Sequence, residues 1–430
     1  MSKKNIYNPI FIIIFILHIS FGNLYGQTRI SSPYSRYGIG DIQNNIYPPS
    51  LSMGGVSYAL KNPGSVNFSN PASYTGFDSC SFVSEIGISS MFNKLETTQF
   101  KNDDISNYTT LGHLLFGFPV IKIWSVSIGL LPFSNVGYKI SDSEFIPDVG
   151  NVDYLYEGAG GINQFYIGNA FKIRENLSIG FNTSYLFGSL DKIRTVSIPD
   201  SANFFDVRIK NSIVPNDIYL NYGIQYSKIL KNNFSINAGL VFSNSTKINS
   251  KENTIAERFV STGYYEEIKD TLENSTGIKG NIVLPESIGI GILLSKEGKW
   301  KIGADYQWQN WSEYSSFGNK DSLKNSMRLG LGGEYTPDNS SVSKYMKKIH
   351  YRFGVRYSKT YLQLKNNQLN DYGISFGLGL PLRRSKKNIN LGFEIGQRGT
   401  TNQNLIKENY GRIIINFAIY ERWFFKRKYD

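Results

Sequence analysis

The chain has 430 residues, a formal charge of +12, 40% hydrophobic and 14% aromatic residues, and 41 glycines, with Tyr and Phe leading the aromatics. A soluble protein of this length would divide into two or three domains, but the aromatic and glycine content points to one large β structure. The mean hydropathy of −0.27 excludes a helical membrane protein.

Residues 1–26 open with Lys3 and Lys4, continue through the apolar run Pro9–Leu17, and end at small residues before Gln27. That order is a secretory signal peptide, and the apolar run is about half of what a spanning helix needs. No cysteine follows it, so a lipid anchor is not expected. Cys80 is the one cysteine of the chain, which rules out an intramolecular disulfide framework. With no histidine near it in sequence, it is expected as a small filler in a strand.

The stretch around Asn70-Pro71-Ala72 cannot be a strand. Prolines, asparagines and glycines crowd the stretch S-M-G-G-V-S-Y-A-L-K-N-P-G-S-V-N-F-S-N-P-A-S-Y-T-G, with turns at Asn62-Pro63-Gly64 and Asn70-Pro71. From residue 77 the pattern changes to segments of alternating apolarity. Leu177, Ile179, Phe181, Tyr185 and Phe187 share one face, against Ser178, Gly180, Asn182 and Ser184 on the other. Such segments recur at 78–92, 107–118, 123–134, 162–173, 176–189, 217–229, 233–245, 283–295, 299–311, 326–336, 350–362, 372–381, 389–398 and 410–420. They are long enough for tilted membrane strands of about nine to eleven residues. Connections alternate between tight, such as Arg174-Glu175, and long and polar, such as 190–216 and 246–282. The connection 337–349 is the exception on the tight side. Residues 421–430 form a basic and aromatic periplasmic tail.

The fold class is therefore an all-β, transmembrane antiparallel β-barrel of fourteen strands spanning 77–420. A ring this wide is not filled by its own side chains, and irregular backbone at membrane depth must be enclosed by protein. Residues 27–76 are accordingly expected as a luminal plug. Alternation aims Lys301, Asp305, Arg328, Glu334, Arg352, Arg356, Glu394, Arg398 and Arg412 inward, with opposite signs on neighbouring strands. A ladder holding plug to wall and a polar permeation path are both open readings of that set.

No catalyst is expected. His113 and His350, the histidines beyond the signal peptide, lie on different strands and lack a metal-ligand spacing. Gly289-Ile-Gly291 and Gly330-Leu-Gly332-Gly333 lie in strands without a following helix, so they serve packing, not phosphates. The basic clusters 383–387 and 426–428 fit solvent or anionic lipid, not nucleic acid. No metal, cofactor or catalytic residue is assigned.

Met53-Gly54-Gly55-Val56, Asn67-Phe68-Ser69-Asn70-Pro71-Ala72 and Leu284-Pro285-Glu286-Ser287 leading into Trp300–Trp311 resemble, in order and spacing, the FadL/TodX family of outer-membrane transporters, in a form similar to that of Bacteroidota. Asn67, Asn70, Pro71 and Ala72 resemble its hatch motif. The resemblance implies a fourteen-stranded barrel with an N-terminal hatch, passage of a hydrophobic ligand from an outer groove to a lateral wall opening, and residence in the outer membrane among its lipids. Ser32–Asp41, S-P-Y-S-R-Y-G-I-G-D, does not map onto that hatch. Two functions are carried forward: passive uptake of a hydrophobic small molecule, and a structural subunit of an outer-membrane secretion or barrel-assembly complex with protein partners.

Overall fold

The computed structural model describes residues 32–43, 47–98, 105–199, 204–261, 265–341, 344–382 and 387–423. The signal peptide, the basic residues 383–386 and the tail beyond 423 lie outside them.

Fourteen strands form a closed antiparallel barrel. They are β1 (Ser81–Glu96), β2 (Ile105–Ile121), β3 (Trp124–Asn135), β4 (Gly150–Arg174), β5 (Leu177–Ser197), β6 (Asp206–Ile229) and β7 (Phe234–Ser243). The second half comprises β8 (Ser287–Lys296), β9 (Trp300–Gln309), β10 (Ser326–Tyr335), β11 (His350–Leu364), β12 (Asn367–Pro381), β13 (Asn388–Gly399) and β14 (Lys407–Arg422). Each pairs with the next, and β1 closes the ring on β14 from Ser81↔Arg422 to Glu96↔Lys407. Closure leaves the ring without an edge, which lipid demands because it offers no hydrogen bonds.

Period-two chemistry sets which side chain faces lipid. On β8, Ile288, Ile290, Ile292 and Leu294 are exposed on the outside, while Leu293 turns inward and is buried. On β14, Phe417 and Ile419 face outward, and Asn416 and Ala418 are buried inside. Aromatic pairs mark the periplasmic rim, where amphipathic rings suit the interface: Phe82 with Trp423, Trp124 with Phe171, and Phe234 with Trp300.

Two sequence expectations change. The connections 190–216 and 246–282, read as long polar loops, are mostly strand. β4, β5 and β6 run to 25, 21 and 24 residues, far beyond a membrane span. Tyr138–Ile146 pairs with the outer part of β4, and Thr246–Ser261 pairs with both β6 and Glu266–Leu284. Above the bilayer these strands are wetted on one face and carry charge there, so their apolar alternation is weak; the ladder to a neighbouring extension satisfies their backbone instead. Cys80 also differs. It is exposed in the turn before β1, with φ of 57°, and fills no strand.

The N-terminal segment lies against the inward faces of this wall. It begins with the 3-10 turn Pro33–Arg36, makes a short ladder to β3 through Asp41 and Ile42, forms a four-residue α1 (Pro48–Leu51), and ends in the 3-10 turn Pro71–Gly76. Three apolar cores result, the smallest joining Met53, Val56, Ala59 and Leu60 to Leu293. The outer one joins Tyr34 and Ile39 to Leu186, Leu190, Ile248, Ile282, Trp311, Tyr314, Leu323, Tyr361 and Leu405. The inner one joins Val66, Tyr74 and Phe77 to Leu115, Tyr166 and Tyr420.

Candidate functional site

The turn at Asn70-Pro71-Ala72 is built locally. Asn70 caps the 3-10 turn by accepting the Ala72 N–H at 3.1 Å, and Pro71 occupies the first turn position, where its missing N–H costs nothing. The Asn70 amide then donates to the Tyr58 carbonyl at 2.7 Å and to the Ile224 carbonyl on β6 at 3.2 Å. Asn67 donates to the carbonyls of Ser57 and Leu60, at 2.7 and 3.0 Å. Ala72 is fully buried. The motif thus folds the segment on itself and ties it to the wall.

Backbone lies directly on backbone where the wall has glycine. A side chain at Gly332 would collide with the Met53 carbonyl, at Gly354 with Gly54 N, and at Gly239 with the Tyr58 carbonyl. These inward glycines are the seat of the segment.

The charged residues meet it at three levels. At the inner level Glu85 accepts the Val66 N–H at 2.6 Å, and Asn416 donates to Glu85 at 3.0 Å, with His113 Nε2 2.9 Å from the same amide. The row continues around the wall. Asn390 donates to Asn416, Arg352 donates to Asn390 at 2.9 Å and to Glu334 at 2.7 Å, and Lys301 reaches Glu334 at 2.8 Å.

At the middle level Asp305 Oδ2 accepts the N–H groups of Ser57 and Tyr58, at 2.6 and 2.9 Å, and Arg328 lies 3.5 Å from the Tyr58 hydroxyl. Further along the wall Arg356 bridges Glu394 at 2.8 Å and Asp371 at 2.9 Å, with Arg412 3.8 Å from Glu394. At the outer level Arg398 holds Glu408, Asp41 at 2.8 Å and Ser32 at 2.6 Å. Tyr361 adds a hydrogen bond to the Gly40 carbonyl at 2.7 Å.

The structure therefore brings Lys301, Glu334 and Arg352 into one cluster and Arg356, Glu394 and Arg412 into another. Asp305 and Arg398 stand apart, each bound to the N-terminal segment, and Arg328 joins no ion pair closer than 4 Å among the described residues. Sequence reasoning missed Glu85, Asp371, Asn390, Glu408, Tyr410 and Asn416. Asp371 and Glu408 lie one and two residues before the apolar stretch used to place their strands. Extending the alternation backwards would have found both.

A cavity of about 150 Å³ remains between the segment and the wall. Phe68, Leu115, Phe133 and Trp311 line it beside Gln164, Asn221 and Arg328. It reaches a place where the described ladder is incomplete. β2 pairs with β3 only from Leu114↔Leu130 to Ile121↔Trp124, and beyond that the β3 residues Ser134 and Asn135 pair with Ile42 and Asp41 instead.

A model of the BamG family matches residues 2–430. No curated protein matches the chain. Among solved structures, the P. putida toluene transporter TodX is 16% identical, with 88% of this chain and 99% of that one covered at a TM-score of 0.59. The CymD monoaromatic hydrocarbon channel is 13% identical, with 89% and 98% covered at 0.57. A Pseudomonas aeruginosa FadL homologue is 10% identical, with 87% and 98% covered at 0.56. These likenesses establish a FadL-like barrel of the bacterial outer membrane.

Proposed function

The chain belongs to the BamG family, and we propose that it is a plugged, non-transporting structural subunit of an outer-membrane secretion or barrel-assembly complex. One observation carries this reading: the outer apolar core between the N-terminal segment and the wall. Tyr34 and Ile39 are buried there against Trp311, Tyr314, Leu323, Tyr361 and Leu405, and Arg398 latches Asp41 beside them. A ligand arriving from outside would have to break a packed core and an ion pair. The β extensions above the bilayer supply a rigid, polar surface suited to protein partners.

A second reading, passive uptake of a hydrophobic small molecule, is favoured by the cavity and the incomplete β2–β3 ladder. Its volume is of the size that holds a single aromatic ring. A locked plug separates the two. Ile42 and Ser134 face each other in the ladder, so Ile42→Cys with Ser134→Cys, in a Cys80→Ser background, can fix the segment to the wall. The structural reading expects the oxidised chain to replace the wild type fully in a deletion strain. Failure of the locked chain, with each single-cysteine control active, would favour transport.

A further inference from the structure

The connection 336–349 joins β10 to β11 on the periplasmic side, where the turn between β8 and β9 has three residues. It does not hang beneath the lumen. Arg352 points inward to Glu334, so Tyr351 and Phe353 point outward, and the Tyr351 hydroxyl donates to the Met346 carbonyl at 3.1 Å. The 3-10 turn Tyr345–Lys348 is thereby folded onto the lipid-facing wall, with Ile349 buried at its base. Tyr345 and Met346 stay 48% and 65% exposed.

Exposed Lys344 and Lys347 and half-buried Lys348 surround these two side chains. Thr336 donates its N–H to the Lys299 carbonyl at 2.7 Å, which brings the β8–β9 turn, with Lys299 and Glu297, alongside. Asp338 is the acid of the connection; its carboxylate accepts the Ser340 hydroxyl at 2.6 Å and the Ser340 N–H at 3.1 Å and offsets part of the charge of Lys347 and Lys299. The rim thus carries cations over an apolar, outward-facing base, at the height of the inner-leaflet headgroups. Aromatic and thioether groups belong there, and lysines gain from phosphate there.

We propose that this rim binds an anionic glycerophospholipid of the periplasmic leaflet. Its phosphate lies among Lys344, Lys347, Lys348 and Lys299, and its acyl chains run along Tyr335, Tyr351 and Phe353. The site is independent of whether the barrel transports or scaffolds.

The test reconstitutes the full chain in nanodiscs of phosphatidylcholine mixed with phosphatidylglycerol, re-extracts it in mild detergent, and measures the retained lipids by mass spectrometry. Wild type is expected to retain phosphatidylglycerol above its share of the nanodisc. Lys344→Gln with Lys347→Gln and Lys348→Gln should lower that enrichment by roughly fivefold or more, because lysines near a headgroup attract its phosphate. Lys210→Gln with Lys251→Gln and Lys279→Gln, the same charge change on exposed lysines of the extracellular extensions, should retain it. Equal enrichment in all three chains, or none in wild type, would overturn the proposal.

Discussion

Arg398 on β13 and Asp41 in the N-terminal segment sit 2.8 Å apart, Nη1 to Oδ1, although 357 positions separate them in the chain. Glu408 and Ser32 take the remaining guanidinium donors, so one side chain joins two neighbouring strands to the outermost part of the segment. Their side chains are only 15% exposed. Removing one partner leaves a charge in a poorly solvated place, so Arg398→Ala should cost about 3 kcal/mol or more. Thermal unfolding of the barrel in detergent would measure the loss. Limited proteolysis should cut the variant near residue 41 while leaving the wild type whole.

Gly332 makes a different kind of contact. Its Cα lies beneath the Met53 backbone, so any side chain must push the segment off the wall. Gly332→Ala is expected to destabilise the barrel by about 1–3 kcal/mol, the usual range for overpacking. Gly411 has open space around its Cα, and Gly411→Ala is the matched control, expected to leave the melting temperature unchanged.

Trp311 anchors the outer core. It is 2% exposed and stacks on Tyr361 with ring centroids 4.5 Å apart. Trp311→Ala should cost roughly 3–5 kcal/mol and open the extracellular mouth. Single-channel recording in planar bilayers should show openings for this variant and none for the wild type.

Lys61, in the N-terminal segment, gives a pH signature. Burial, and then the charge of Lys172, push its ammonium pKa from the ordinary 10.5 down to about 8. The folded state therefore binds this proton less tightly than the unfolded state. The penalty is full below pH 8 and is relieved as pH rises from about 8 to 10.5, so stability should increase across that window. Lys61→Met should raise the melting temperature at pH 7 and flatten the rise. An unchanged slope would show that another group titrates there.

The sequence made the wall legible because lipid enforces a period. Ile288, Ile290, Ile292 and Leu294 must all face the bilayer, and such runs placed the membrane portion of all fourteen strands. Where that pressure ends, legibility ends. The extensions of β4 to β6 stand in water, so Lys192, Arg194, Arg208 and Lys210 interrupt the pattern and the segments read as loops. Inward charges on the later strands could be listed from alternation, but not their partners. Arg398 finds Asp41 across most of the chain, and Asp305 accepts two backbone N–H groups that carry no residue-type signal. Ser32–Asp41 has no period, and its place against the wall emerges only from the core it joins.

The most direct test of a sealed structural subunit is isolation of the tagged full-length chain from its native outer membrane in mild detergent, with mass spectrometry of proteins and bound small molecules. The account predicts stoichiometric outer-membrane partners and no hydrophobic ligand in the luminal cavity. A solitary barrel carrying such a ligand would contradict it.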